Sequence, residues 1–358
     1  MKRPTAGAWR TATPDVRAAE LVQRTLAQHG LAPAASQGNS AHSSDLIANA
    51  LAQAGLVQTN GNRTARAPDP VPPGASFFRA SHTGISGARA YRTYIPASAQ
   101  KGAAGLVVML HGCTQTPEDF AIGTGMNTHA ERHRLIIIYP EQSRGANAQT
   151  CWNWFSKGDQ GRGRGEPEII AGLTSRVMKQ HGIEPAQTFV AGLSAGAAMA
   201  VILGYAYPDI FGAVGAHSGL PLGAAQDVPS AFSAMAGQAA NLARAPGPAP
   251  RTIILHGDAD QTVHPLNGAA IARMAETSAQ GTTTQFDRPG EAAGRRYHRS
   301  LTINEAGQSV SEHWTIQGLG HAWSGGEPGG SYTDPAGPDA SAEMIRFFLD
   351  TAQKENLT

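Results

Sequence analysis

Thr188-Phe189-Val190-Ala191-Gly192-Leu193-Ser194-Ala195-Gly196 is the stretch that decides the reading of this chain. A short apolar, strand-like run leads into the pentapeptide G-x-S-x-G, and a helix-like run over 197–207 follows at once. In that setting the pattern is a nucleophile elbow. The serine sits on a strained turn at the tip of a strand. The turn packs so tightly that the positions two places either side must be glycine or nearly so. The plain alternative is an ordinary glycine-rich turn between a strand and a helix.

A serine hydroxyl is a poor nucleophile at neutral pH. It needs a base to take its proton and a carboxylate to orient that base. In a strand–elbow–helix architecture these partners follow the serine in the order acid, then histidine. The strand-like run Thr252-Ile253-Ile254-Leu255-His256-Gly257 is followed by Asp258-Ala259-Asp260. The spacing favours Asp260, one turn beyond the strand, and leaves Asp258 as a turn residue; the plain alternative is that both merely cap the turn. His264, His298, His313 and His321 are the later candidates for the base. His321 stands in Gly318-Leu319-Gly320-His321-Ala322-Trp323, after the last strand-like run and before the last helix. That position is a loop on the same sheet edge as Ser194 and Asp260. His298 and His313 fall within strands, and His264 is too near the acid.

Such chemistry also needs donors for a developing oxyanion, usually backbone amides. Ala195, the residue after the serine, supplies one. Leu110-His111-Gly112-Cys113, after an earlier strand, supplies the other through the Cys113 amide. His111 and Gly112 shape that loop. Cys113 as a nucleophile is set aside, because no base follows it at a suitable place. The only other cysteine is Cys151, and two cysteines suffice for one bridge. Trp152-Asn153-Trp154-Phe155 lies on the long loop 140–165. There Trp152 and Trp154 form either an apolar wall for a substrate or packing for the loop. Trp323 has the same two readings.

Composition excludes several classes. The formal net charge of +1 over 358 residues offers no electrostatic footprint for nucleic acid. No apolar run approaches 18 residues, so no membrane-spanning helix is expected. No Cys/His spacing resembles a zinc site. Met1-Lys2-Arg3 is a positive start, but no apolar stretch follows it, so a standard secretory signal is not visible. A nucleotide-binding alternative lacks G-x-G-x-x-G after the first strand.

Residues 1–74 read as an extension with helices at 16–31 and 44–57 and polar, Pro/Gly-rich linkers, partly disordered or docked. Residues 75–358 read as one domain with a helical insertion at about 221–247. Its pattern predicts antiparallel strands at 76–82 and 88–94, and buried strands at 106–110 and 135–139. One helix is predicted over 117–133 with Thr116 as N-cap, and another over 167–181 ending at Gly182. Beyond the elbow, strands are expected at 211–216 and 252–255, and paired late strands at 295–303 and 312–316. Helices are expected at 229–244, 266–279 and 340–349. Buried strands alternating with helices imply an α/β fold: a mostly parallel sheet with helices on both faces.

Five blocks together resemble the poly(3-hydroxybutyrate) depolymerase family of esterases, which also holds feruloyl and acetylxylan esterases. They are Leu110-His111-Gly112-Cys113-Thr114-Gln115, Cys151-Trp152-Asn153-Trp154, the elbow, His256-Gly257-Asp258-Ala259-Asp260 and Gly320-His321-Ala322-Trp323. The resemblance runs over about 75–350. It implies an α/β-hydrolase fold, a Ser194–Asp260–His321 triad, a Cys113–Cys151 bridge and often secretion. It also implies an ester substrate and no cofactor or metal. A location inside the cell is the alternative to secretion, since no signal peptide is visible. The 37 residues after His321 are too few for a linker plus a polymer-adsorbing domain, so oligomers, amorphous polymer or soluble esters are expected over crystalline polyester. Feruloyl or acetylxylan ester hydrolysis is the nearest alternative, acyl transfer a third, and a non-catalytic binding protein on the same fold the remote one.

Overall fold

The computed structural model describes residues 71–239, 247, 249–277 and 281–350. The expected helices at 16–31 and 44–57, and the end of the insertion at 240–246, lie outside the described residues.

The chain opens with strands β1 (Ser76–Gly84), β2 (Gly87–Ile95) and β3 (Gly105–Leu110). Helices α1 (Pro117–Thr124) and α2 (Met126–His133) lead to β4 (Leu135–Pro140). Then come α3 (Gly165–His181), β5 (Thr188–Leu193), α4 (Ala195–Ala206), β6 (Ala213–His217), α5 (Val228–Met235) and β7 (Arg251–Gly257). The remainder is α6 (Leu266–Thr277), β8 (Thr283–Ala292), β9 (Arg295–Asn304), β10 (Ser309–Ile316) and α7 (Ala340–Leu349). A two-residue pair, Trp323–Ser324 with Thr333–Asp334, forms a small separate ladder.

The ten strands make one sheet in the order β1-β2-β4-β3-β5-β6-β7-β10-β9-β8. The six central strands, β4 to β10 in that order, run parallel. Antiparallel strands complete both edges. Every residue of β3, β4 and β5 is buried, as their continuous apolar runs require of strands covered on both faces. Alternate side chains feed two cores: Leu106, Val108 and Leu110 join α3, α4 and α6, while Val107 and Met109 join α1, α2 and α7. This is the α/β-hydrolase architecture.

Two expectations are corrected. The single helix over 117–133 is two, because Gly125 turns left-handed (φ 59°) and its N–H caps Ile122. A strand the sequence pattern did not announce, β8, lies at the sheet edge. Its Thr-Thr-Gln-Phe-Asp-Arg-Pro-Gly-Glu-Ala sequence lacks an apolar alternation, and an edge strand tolerates Pro289 because one side of its backbone needs no partner.

Topology places the site. From β3 the chain moves outward to β4, then returns to β5 on the other side of β3. The loops after β3 and β5 therefore diverge from neighbouring strand ends, which is where ligands enter open α/β sheets. Leu193, His217 and Leu255 share one register row, so β5 and β6 end at a common level and β7 runs two residues beyond it.

Candidate active site

Ser194 follows β5 directly and caps α4 with φ 57° and ψ −120°. A non-glycine residue held there costs about 1–3 kcal/mol and persists only when its surroundings fix it. Two backbone bonds do so. Its N–H donates to the His217 carbonyl at 2.9 Å, and its own carbonyl accepts from Ala198 at 3.0 Å. The flanking glycines are dictated by space. A Cβ on Gly192 would stand 2.6 Å from the Leu110 carbonyl oxygen, and one on Gly196 only 2.0 Å from it.

Asp260 lies in the turn after β7. Its Oδ1 accepts the N–H groups of Thr262 and Val263, each at 2.9 Å, as a carboxylate in a tight turn does. Its Oδ2 meets His321 Nδ1 at 2.8 Å and His256 Nε2 at 3.4 Å. The carboxylate is fully buried, and the His321 ring is only one-tenth exposed (10%). Burial pushes the carboxyl pKa up. Hydrogen bonds and charge from His256 and His321 outweigh it and hold the group well below the usual carboxylate range. Asp258 does not join this group; its Oδ1 accepts from the Gly318 N–H at 2.6 Å and closes the turn after β10.

His321 is held from both sides. Upstream, the Leu319 carbonyl accepts from Ala259, and a Cβ on Gly257 would stand 2.0 Å from that oxygen. Downstream, Trp323 N–H donates to Tyr332 at 2.7 Å, and Ser324 N–H donates to His217 Nε2 at 3.1 Å. Around His321 itself the backbone tightens, with Ala322 N–H bonded to the Gly320 carbonyl at 3.0 Å.

The loop after β3 is equally constrained. Gly112 N–H is occupied by Gln115 Oε1 at 2.9 Å. The N–H groups of Cys113 and Ala195 donate to no hydrogen bond among the described residues. Cys113 is joined to Cys151 by a disulfide with Cα atoms 4.2 Å apart. Thr114 N–H also bonds the Gln149 carbonyl at 2.8 Å. Closing a loop with a sequence separation of 38 restricts the unfolded chain by roughly 3–4 kcal/mol in the loop-entropy model.

The tryptophans are corrected from the substrate-wall reading to the packing one. Trp152, Trp154 and Trp323 are 0%, 5% and 1% exposed, too little to present ring surface to a ligand. Trp152 Nε1 donates to the His111 carbonyl at 3.1 Å. Trp323 donates to Ser341 Oγ at 3.2 Å and packs edge-on against Phe120.

Sequence reasoning assigned His111 to shaping its loop but missed the rest of the buried polar frame behind these residues. His111 Nδ1–H donates to the Gly112 carbonyl, and its Nε2 accepts from Gln142 N–H at 3.2 Å, which ties the loop after β3 to the loop after β4. Glu166 receives Asn153 N–H at 2.7 Å, the Asn153 side-chain amide, Gln142 and Arg89, and so clamps the loop carrying Cys151. Burial holds the Glu166 carboxyl above its usual range. His256 braces Asp260, and His217 touches both the elbow and the His321 loop. The one available signal was position: His217 ends the strand beside the elbow strand, and His256 lies one residue before the end of the strand that leads to Asp260. Among the described residues no group of three or more His, Cys, Asp or Glu side chains is arranged to hold a metal ion.

Comparison with known proteins fits this geometry. The model of the Esterase PHB depolymerase family matches residues 89–273, more than half of the chain. The chain belongs to the PHB depolymerase esterase family. Within that family's reach it is 33% identical over 228 residues to poly(3-hydroxyalkanoate) depolymerase C of Paucimonas lemoignei, covering 60% of this chain and 54% of that protein. It is 32% identical over 181 residues to a probable acetylxylan esterase A of Aspergillus flavus, covering 46% of this chain and 58% of that protein. The chain thus spans a little over half the length of these curated relatives. Among solved structures, the acetyl xylan esterase from Aspergillus awamori superposes with a TM-score of 0.56 at 21% identity, covering 76% of this chain and 98% of that one. That likeness is one of fold.

Proposed function

We propose that this protein is a serine esterase that cleaves carboxylic esters through an acyl-enzyme on Ser194. The observation that carries the reading is the 2.8 Å bond between His321 Nδ1 and the buried, ionised Asp260, at the sheet edge where Ser194 occupies its strained turn. With Nδ1–H given to Asp260, the His321 Nε2 is left as the base. It takes the Ser194 hydroxyl proton as Oγ attacks the ester carbonyl, and returns that proton to the leaving alcohol as the C–O bond breaks. Water then attacks the acyl group by the reverse route and regenerates Ser194. The amides of Ala195 and Cys113, which have no acceptor among the described residues, receive the oxyanion, each such donor being worth about 2.7–4 kcal/mol in the transition state.

The substrate class we infer is a 3-hydroxybutyrate-type polyester or its oligomers. The relatives named as polyhydroxyalkanoate depolymerases match 60% and 66% of the chain. The acetylxylan esterase relatives, at 46%, support plant cell-wall esters as the second reading. Parallel kcat/KM measurements on 3-hydroxybutyrate oligomers, acetylated xylan and methyl ferulate test the choice. The oligomers should be preferred; preference for acetylated xylan or methyl ferulate would overturn the polyester assignment and leave the serine mechanism standing.

A further inference from the structure

We propose that His217 is a positioning residue that sets the separation between the Ser194 turn and the His321 loop. This inference rests on the reading that those two residues act together. His217 is the last residue of β6, the strand lying between β5, which ends at the elbow, and β7, which leads to Asp260. Its carbonyl accepts the N–H of Ser194 itself at 2.9 Å. Its ring Nε2 accepts the N–H of Ser324, three residues past His321, at 3.1 Å. One fully buried residue therefore touches the nucleophile's own amide through its backbone and the base's loop through its side chain.

The contact is chemically specific. Because Nε2 accepts, the ring hydrogen sits on Nδ1, where Ser218 Oγ receives it at 3.2 Å. The ring also stacks on Trp323, with centroids 5.1 Å apart and planes 25° from parallel. Protonation would remove the acceptor facing Ser324. Burial, reinforced by the neighbouring His256 and His321, pushes the His217 pKa down to about 3, so the neutral ring persists through ordinary working pH. An apolar ring of the same shape would keep the stack but leave the Ser324 N–H buried without a partner. The loop would then shift to find one. Misplacing a reacting group by about 1 Å costs roughly 10²-fold in rate.

The test compares His217→Phe, which keeps a stacking ring without an acceptor, with His217→Gln, whose side-chain oxygen reaches Ser324. Turnover of a short-chain p-nitrophenyl ester is normalised to sites titrated with diethyl p-nitrophenyl phosphate, so misfolded protein does not count. His217→Phe should lose roughly 10²-fold in kcat per titrated site with little change in KM, and the downfield proton resonance of the His321–Asp260 bond should move or vanish. His217→Gln should recover most of that kcat. Should the Phe variant not fold, His217→Asn, too short to reach Ser324, takes its place. Wild-type kcat per titrated site in the Phe or Asn variant would overturn the proposal, as would an equal loss in Gln, which would assign the effect to packing. Full activity in Ser194→Ala would instead remove the reading on which the proposal rests, so the two failures are distinguishable.

Discussion

A methyl group on Gly196 would stand 2.0 Å from the carbonyl oxygen of Leu110. The first turn of α4 is thus pressed against the end of β3, the strand whose following loop carries Cys113. On this account the glycines of the elbow serve the oxyanion site as much as the serine.

Gly196→Ala should therefore force β3 and α4 apart. Overpacking of this kind costs about 1–3 kcal/mol, and the displaced amides should lower kcat more than they raise KM. Urea unfolding and steady-state kinetics on one ester measure both effects. A stable, fully active Gly196→Ala would contradict the packing argument.

Much of this was legible beforehand, for identifiable reasons. Leu106–Leu110 and Leu135–Tyr139 read as buried strands because both faces are covered, and the elbow read as a turn because two glycines bracket a serine. The expected order of acid and base along the chain singled out Asp260 and His321, and the structure pairs these two side chains at 2.8 Å. What stayed hidden depends on contacts distant in sequence. Trp152 and Trp323 could have faced either solvent or core, and only the closure of their loops over His111 and Phe120 decides it. His217 and Glu166 are single polar residues that join loops distant in sequence, His217 reaching Ser324 and Glu166 reaching Gln142 and Arg89, so no local pattern marks them. The edge strand β8 carries Pro289 and alternates weakly, because half its backbone pairs with nothing in the sheet.

Asp260→Asn should keep the shape of its turn, since Thr262 and Val263 still find an amide oxygen, but should lose the charge that orients His321. A fall in kcat of about 10⁴-fold is expected, as for a Ser-His-Asp triad whose carboxylate becomes an amide. Asp258→Asn, which touches only the Gly318 turn, should change kcat little. Equal losses in the two variants would contradict the assignment of Asp260.

Acid should destabilise the fold in a defined order. The folded pKa of His217 lies at about 3, below its unfolded value, and burial lowers that of His111 as well. Their neutral forms therefore contribute stability that is fully present above about pH 6.5 and is lost as pH falls toward the folded values. Asp260, also lowered, adds a second loss that begins below its unfolded pKa of about 3.9. Urea midpoints between pH 8 and pH 4 should fall steadily below about 6.5, with net proton uptake on unfolding. A flat midpoint down to pH 4.5 would contradict the buried neutral histidines.

Hydrolysis of a short-chain p-nitrophenyl ester by wild type and Ser194→Ala, with equal protein and matched thermal stability, decides whether Ser194 carries the acyl group. Turnover by the wild type is expected, and its loss in the variant, to the residual level that an oxyanion site alone supports. Turnover by Ser194→Ala at the wild-type rate would contradict it.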